Sequence, residues 1–389
     1  MWEECAVAPL NFGSSPFFET SLFFIRIFKI RSLCTVPVLK KLLVYMGNLA
    51  AFIAAFALVC AGIKAILPVQ KVPIVSAKLD WLAEHGDDYD VLFIGSSRTF
   101  RQILPEIFDA EMATAGQPVR AFNAGVDGMR PPEDTYMLEK ILEGRKKPLR
   151  LVVVECNPIR LAQRVEERNT LRAVYWHDNT RMLTLFKAAF FSDRKNRSWS
   201  KRFEKIADVW PDFSRHFGYW LVQISNIGRG HESLAEWMGV APPKVVTTSG
   251  VGNRLDGYMP FAETGPMNPS LTADYEIELA AMLAKKQRRV DGDPVSLAEI
   301  KRKQRLIESA GGRMVLLIPP YIGDNFLYPK AEQGFPPVLD FSRPEKYPEL
   351  FKAEHHSDTG HTNNVGSKIY THLFTRELLE LLTSQTQKK

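Results

Sequence analysis

One long apolar stretch stands apart from a series of short ones along this chain. Leu42–Ile63 carries only Asn48 as a strongly polar member, and at about 1.5 Å rise per residue a helix of that length crosses a hydrocarbon layer of roughly 30 Å. The short runs are Val91–Ile94, Val119–Phe122, Leu151–Glu155 and Met314–Ile318. They are too brief for helices and rich in aliphatic and β-branched side chains, the pattern of strands buried on both faces of a parallel sheet. Helical stretches fall between the first three, over Arg98–Phe108 and over a segment opened by Pro131-Pro132 that runs to about Glu143. Strand alternating with helix predicts a three-layer α/β/α fold around a parallel sheet, with ligands collecting at the carboxyl ends of the strands.

A further helix before Met314 is marked by Ser296 and Glu299 as a capping box and by Gly311-Gly312 past its end. About 160 residues separate the third strand from the fourth, where a minimal crossover takes about a dozen. Residues 160–290 are therefore expected to form a large, mostly helical insertion on the ligand side of the sheet. Within it, Trp199, Phe203, Ile206 and Trp210 recur at helical spacing while Lys201, Arg202 and Lys205 project elsewhere. That is an amphipathic helix whose basic face is either simply solvated or set against phospholipid headgroups or an anionic glycan. Tyr175-Trp176-His177-Asp178 and the stretch Thr247–Gly257 are candidates for lining a sugar site.

Charge orients the long apolar run. Arg26, Lys29, Arg31, Lys40 and Lys41 precede it, so the positive-inside rule places the N-terminus in the cytoplasm and the bulk of the chain in the periplasm or another extracytoplasmic space. The expected organisation is a cytoplasmic segment at 1–41, a single-pass inner-membrane anchor at 42–63, a connector at 64–88 with a helix over Asp80–His85, and a domain at 89–389. The run exceeds the core of a cleaved signal peptide. A lipoprotein reading of Cys60 meets Val59 where a small residue is needed, and Met46 offers an alternative translation start. With 389 residues and 45% hydrophobic content the chain can build the core of one large domain or two ordinary ones. The formal charge of +6 is spread over 50 basic and 44 acidic residues that are largely interspersed, so no nucleic-acid partner is implied. Of Cys5, Cys34, Cys60 and Cys156 only the last lies beyond the anchor, which leaves no disulfide framework there; Cys156 reads as a small buried core residue.

Two short motifs carry chemistry. The strand at 91–94 stops at Gly95-Ser96-Ser97, where a helix is expected to begin; a serine there either caps the helix or, near free backbone N–H groups and the helix dipole, acts as a nucleophile. Near the C-terminus stands His355-His356-Ser357-Asp358-Thr359-Gly360-His361. An aspartate three residues before a histidine can hold one imidazole nitrogen and leave the other to take a serine's proton. The same stretch also admits a metal reading through His355, His356, Asp358 and His361, without a helical H-x-x-x-H or cysteine support.

Taken in order, these pieces resemble the SGNH (GDSL-like) hydrolase family, a flavodoxin-like α/β fold. GSS at 95–97 stands where that family has its G-D-S block, N-A-G-V-D-G at 123–128 is similar to its second block, E-C-N at 155–157 to its third, and D-T-G-H at 358–361 to its closing Asp-x-x-His. Ser96 replaces the family's aspartate, and the glycine that normally precedes the third-block asparagine is absent. The resemblance implies Ser97 as nucleophile, His361 as general base and Asp358 as its orienting partner. It also implies an oxyanion hole from Ser97, Gly128 and Asn157, and no metal or organic cofactor. GSS behind an N-terminal anchor is more like the membrane-tethered branch that includes accessory proteins of alginate O-acetylation and teichoic-acid D-alanylation. The expected function is that of an O-acyltransferase or esterase on a cell-envelope polysaccharide, beside a membrane-bound O-acyltransferase partner. The alternative is a non-catalytic glycan-binding or assembly subunit of an O-acylation complex.

Overall fold

The computed structural model describes residues 36–66, 71–168, 170–192, 199–225, 237–240, 248–261, 265, 267–284, 292–323, 327, 329 and 334–386. Arg26, Lys29, Arg31, Cys5, Cys34 and Thr247 lie outside them, as do the side chains of Trp199, Lys201, Arg202, Phe203 and Lys205. The chain divides into two units, Met1–Ile63 and Lys64–Lys389. The helix α1, Val36–Ile66, contains a segment, Leu39–Ala65, long and apolar enough to cross a membrane.

In the second unit, β1 (Val91–Ile94), β2 (Ala121–Asn123), β3 (Leu151–Glu155), β4 (Arg313–Ile318) and β5 (Val338–Asp340) form a sheet in the order β2-β1-β3-β4-β5. Every pairing is parallel. The winding reverses between β1 and β3, and a crevice opens beyond the strand ends at such a switch point. Leu92, Ile94, Val152, Val154, Leu316 and Ile318 face one core cluster. Their neighbours Val91, Phe93, Leu151, Val153, Val315 and Leu317 face the other. The two-residue period of a strand therefore feeds two helical layers, each fully buried aliphatic side chain contributing about 1.5–3 kcal/mol. Phe93, fully buried, meets Phe108 and Phe374 at ring distances of 5.1 and 5.8 Å.

The helices depart from expectation in instructive places. The helix α2, Pro73–His85, is longer than Asp80–His85, and the 64–88 stretch is more than a connector. Val75, Ala77 and Leu82 of α2 belong to the core. The single helix expected over Arg98–Phe108 is two, α3 (Ser97–Phe100) and α4 (Pro105–Thr114). Proline at 105 disfavours helical backbone at Leu104, which is extended there. After α5 (Glu133–Glu143) the chain passes through β3 into α6 (Leu171–Val174), α7 (Asn179–Phe191), α8 (Trp199–Ser225) and α9 (Pro269–Ala284). On α8, Ile206 and Trp210 of the apolar stripe are exposed. In α9, fully buried Tyr275 packs in the same cluster as Phe341 and Phe374, so this end of the 160–290 stretch is part of the main core.

The helix α10, Pro294–Ser309, is capped by Asp293, whose carboxylate accepts from the N–H groups of Val295 and Ser296 at 3.0 Å. The expected capping box at Ser296 and Glu299 does not form. The Ser296 hydroxyl instead accepts from the Ile159 N–H at 3.0 Å. A short hairpin of β6 (His356–Asp358) and β7 (His361–Thr362) then leads into α11 (Asn364–Thr386).

Candidate active site

At the end of β1 the backbone is forced close to β3. A Cβ on Gly95 would lie 2.2 Å from Thr99 Oγ1 and 2.5 Å from Glu155 Oε2, so only glycine fits. Glu155 ends the otherwise apolar β3 with a carboxylate that is 1% exposed, and such a group needs a full set of donors. It accepts the Ser96 N–H at 2.6 Å, the Ser96 hydroxyl at 2.8 Å and the Thr99 hydroxyl at 3.0 Å. The Arg98 guanidinium pairs with it at 3.3 Å.

The two serines thereby take different roles. Ser96 is the N-cap, turned inward to Glu155 and accepting from the Arg98 N–H at 3.3 Å. Ser97 points the other way. Its Oγ lies 2.7 Å from His361 Nε2, and His361 Nδ1 lies 2.9 Å from each oxygen of Asp358. Ionised aspartate only accepts, so Nδ1 carries the proton and Nε2 is left to accept from the Ser97 hydroxyl. Burial pushes the Asp358 carboxyl upward, but the hydrogen bonds it accepts from His361 and the Gly360 N–H hold the group below the ordinary carboxylate range. The β6–β7 hairpin sets this spacing by pairing Asp358 with His361, and the Gly360 N–H donates to Asp358 Oδ1 at 2.7 Å. Because α3 is one turn long, the helix dipole anticipated at Ser97 is small.

The remaining expected donors lie on the loops after β2 and β3. Among the described residues, no acceptor meets the backbone N–H of Ser97, that of Gly128 or the side-chain amide of Asn157. Gly128 has φ +71°, and a Cβ there would meet Glu167 Oε1 at 2.4 Å. The loop carrying it is tied to the serine turn. The Val126 N–H donates to the Gly95 carbonyl at 3.0 Å, and Asn123 Nδ2 donates to the carbonyls of Thr99 and Ile103 at 2.8 Å.

Beneath this loop lies Lys78 of α2, fully buried. Its ammonium donates to the carbonyls of Asn123 at 2.8 Å, Gly125 at 2.6 Å and Gly257 at 2.8 Å, and it sits 3.8 Å from the Phe100 ring centre. Burial, with Arg101 nearby, pulls its pKa well below the usual lysine value. Gly257 (φ +81°) could carry no side chain, since a Cβ would fall 2.1 Å from the Asn123 carbonyl oxygen. The stretch that includes Gly257 thus braces the second-block loop. Four residues on, the Phe261 ring packs edge-on against His361 at 4.9 Å. Arg101, ion-paired to Asp127 at 2.6 Å, reaches the Pro260 carbonyl.

Of the other singled-out residues, Trp176 lines a cavity beside Gly128. Tyr175, Trp176 and His177 are buried, and Asp178 caps α7. His355 and His356 are buried and bonded to the carbonyls of Glu349 and Leu350 at 2.7 and 2.8 Å, and among the described residues no three His, Cys, Asp or Glu side chains are grouped so as to hold a metal ion. Cys156 is buried, its thiol pushed up to about 12 by desolvation. Two residues of the site escaped the sequence reading. Glu155 had a signal, an acid closing an apolar strand. Lys78 had none, being one of many lysines.

Against this geometry, comparison with protein-family models finds none that matches the chain, and no curated protein matches it.

Proposed function

We propose that this protein is a membrane-anchored SGNH-like serine acyltransferase or esterase that acts on ester-linked acyl groups of a cell-envelope polysaccharide in the periplasm, beside a membrane-bound O-acyltransferase. The observation that carries the reading is the unbroken polar chain from Ser97 Oγ through His361 to Asp358, joined by residues 264 positions apart in sequence. In this reading Ser97 Oγ attacks the acyl carbonyl while Nε2 of His361 takes its proton, and Asp358 stabilises the imidazolium that forms. The N–H groups of Ser97, Gly128 and Asn157 hold the developing oxyanion. His361 then returns the proton to the leaving oxygen, and a sugar hydroxyl or water takes the acyl group from the serine. The apolar helix at 39–65 supports a membrane location.

The test is a serine-directed fluorophosphonate probe on the full chain. Labelling should be abolished by Ser97→Ala and by His361→Ala, and turnover of an acyl-ester donor should fall on the order of 10⁶-fold in each, with the double variant little worse. Absence of labelling in folded wild-type protein overturns the reading. Mass spectrometry of an envelope oligosaccharide incubated with donor separates transfer, seen as a new ester on the sugar, from trimming.

A further inference from the structure

On the far side of Gly128 the loop at 128–133 and the chain after β3 enclose a cavity with four guanidinium groups in its wall, those of Arg130, Arg160, Arg164 and Arg172, against the carboxylates of Glu133 and Glu167. The pairing is uneven. Arg172 meets Glu133 at 3.3 Å, and that carboxylate also accepts the Tyr175 hydroxyl at 2.6 Å. The Nε of Arg172 is nevertheless buried without an acceptor. Among the described residues, the one carboxylate that meets the Arg164 side chain is that of exposed Glu166, at a distant 3.8 Å. Arg130 and Arg160 have neither a carboxylate nor a hydrogen-bond acceptor among the described residues. Burial of Arg130, with the positive charges of Arg160 and Arg98, depresses its pKa. A fold left to itself separates or pairs such charges, because several guanidinium groups around one cavity repel while their donors stay unmatched. An oxyanion placed there relieves both costs and suits the planar fork of arginine.

We propose that this cavity is an anion subsite that holds a carboxylate or phosphate group of the acyl acceptor, one wall being the Gly128 loop. The assignment of the anion to the acceptor rests on the serine-enzyme reading above; the affinity for an oxyanion does not. The cavity gives the enzyme its preference for acidic over neutral saccharides. Arg130 and Arg160 supply the donors, and Arg172, held by Glu133, fixes the orientation.

The experiment uses full-length protein in lipid nanodiscs carrying Ser97→Ala, so that ligands are bound and not consumed. Calorimetry compares trigalacturonate, a glycerol-phosphate trimer and neutral galactotriose. One acidic ligand should bind about tenfold or more tighter than galactotriose, and the double variant Arg130→Gln/Arg160→Gln should lose that preference while keeping the weak binding of galactotriose. The preference should also shrink as salt is raised. Binding of trigalacturonate identifies a carboxylate, and binding of the phosphate trimer a phosphodiester. The double variant removes no side-chain hydrogen bond or ion pair among the described residues, so its melting temperature should stay near the parent's; if it does not, the single variant Arg160→Gln, at an exposed position, replaces it. Equal affinity for acidic and neutral ligands, or an undiminished preference in the variants, overturns the subsite. Fluorophosphonate labelling of the protein with Ser97 intact is read alongside. Labelling without anion preference sinks the subsite alone, whereas anion preference without labelling sinks the catalytic reading and leaves the cavity a saccharide-binding site.

Discussion

The two sides of the Gly128 loop handle positive charge in opposite ways. Below it, Lys78 is fully buried, yet all three ammonium protons are taken by main-chain carbonyls, and the neighbouring Glu155 is likewise matched donor for acceptor. Above it, Arg130 and Arg160 have no such partners among the described residues, and Arg172 keeps a buried Nε without an acceptor there. The cost of removing a charge from water is several kcal/mol unless partners replace the lost hydration. A fully matched buried charge is therefore part of the fold, while a group of cations left unmatched at a cavity is available to a ligand.

This contrast can be broken or sharpened in order of expected effect. Lys78→Met leaves three buried carbonyls without a donor beneath the Gly128 loop, and urea denaturation should show a loss of about 4 kcal/mol, with serine labelling reduced as well. A loss under about 1 kcal/mol would mean that the clamp is ornamental.

The buried histidine pair gives a pH arm. His177 Nε2 and His216 Nδ1 lie 2.8 Å apart. Burial lowers His216 to about 4 and His177 well below its usual value, the latter assisted by His216. Both are neutral in the fold and protonate more readily unfolded, so stability is complete above pH 6.5 and falls as the pH drops toward 4. The His216 share is about 3 kcal/mol at pH 4. Stability curves of wild type and His216→Gln should converge on acidification, and parallel curves would refute the assignment.

Glu155→Gln replaces a carboxylate that accepts from Ser96, Thr99 and Arg98 with an amide that brings two donors into the same place. A cost of about 2 kcal/mol is expected, together with weaker labelling of Ser97, whose turn it holds. Arg160→Gln should change stability by less than about 0.5 kcal/mol, toward stabilisation if anything, because it relieves repulsion at an exposed position. A marked loss there would show Arg160 to be structural and remove the contrast.

Period and punctuation along the chain were enough to place β1, β3 and β4, since a buried parallel strand must be short, apolar and β-rich whatever surrounds it. The same local rules located Gly95-Ser96-Ser97 and Asp358-x-x-His361. The break between α3 and α4 was missed, although Pro105 carried its signal. The three-residue β5 was not legible, as so short a run has no readable period and acquires its state from pairing with β4. Local rules did not say which serine faces the histidine, since Ser96 and Ser97 are chemically the same, and only the family resemblance pointed to Ser97; Glu155, arriving on a strand 59 residues away, claims one and frees the other. The helix cap at 293–299 was decided in the same way. Local spacing pointed to Ser296, but Asp293 caps the helix and the Ile159 N–H took the Ser296 hydroxyl. Lys78 reads as an ordinary surface lysine until three carbonyls from distant segments converge on it. What sequence alone determined here are the features that depend on a residue's near neighbours along the chain. What tertiary structure decided are the partners of polar groups, because a buried hydrogen bond is satisfied by whichever donor or acceptor the fold brings within 3 Å.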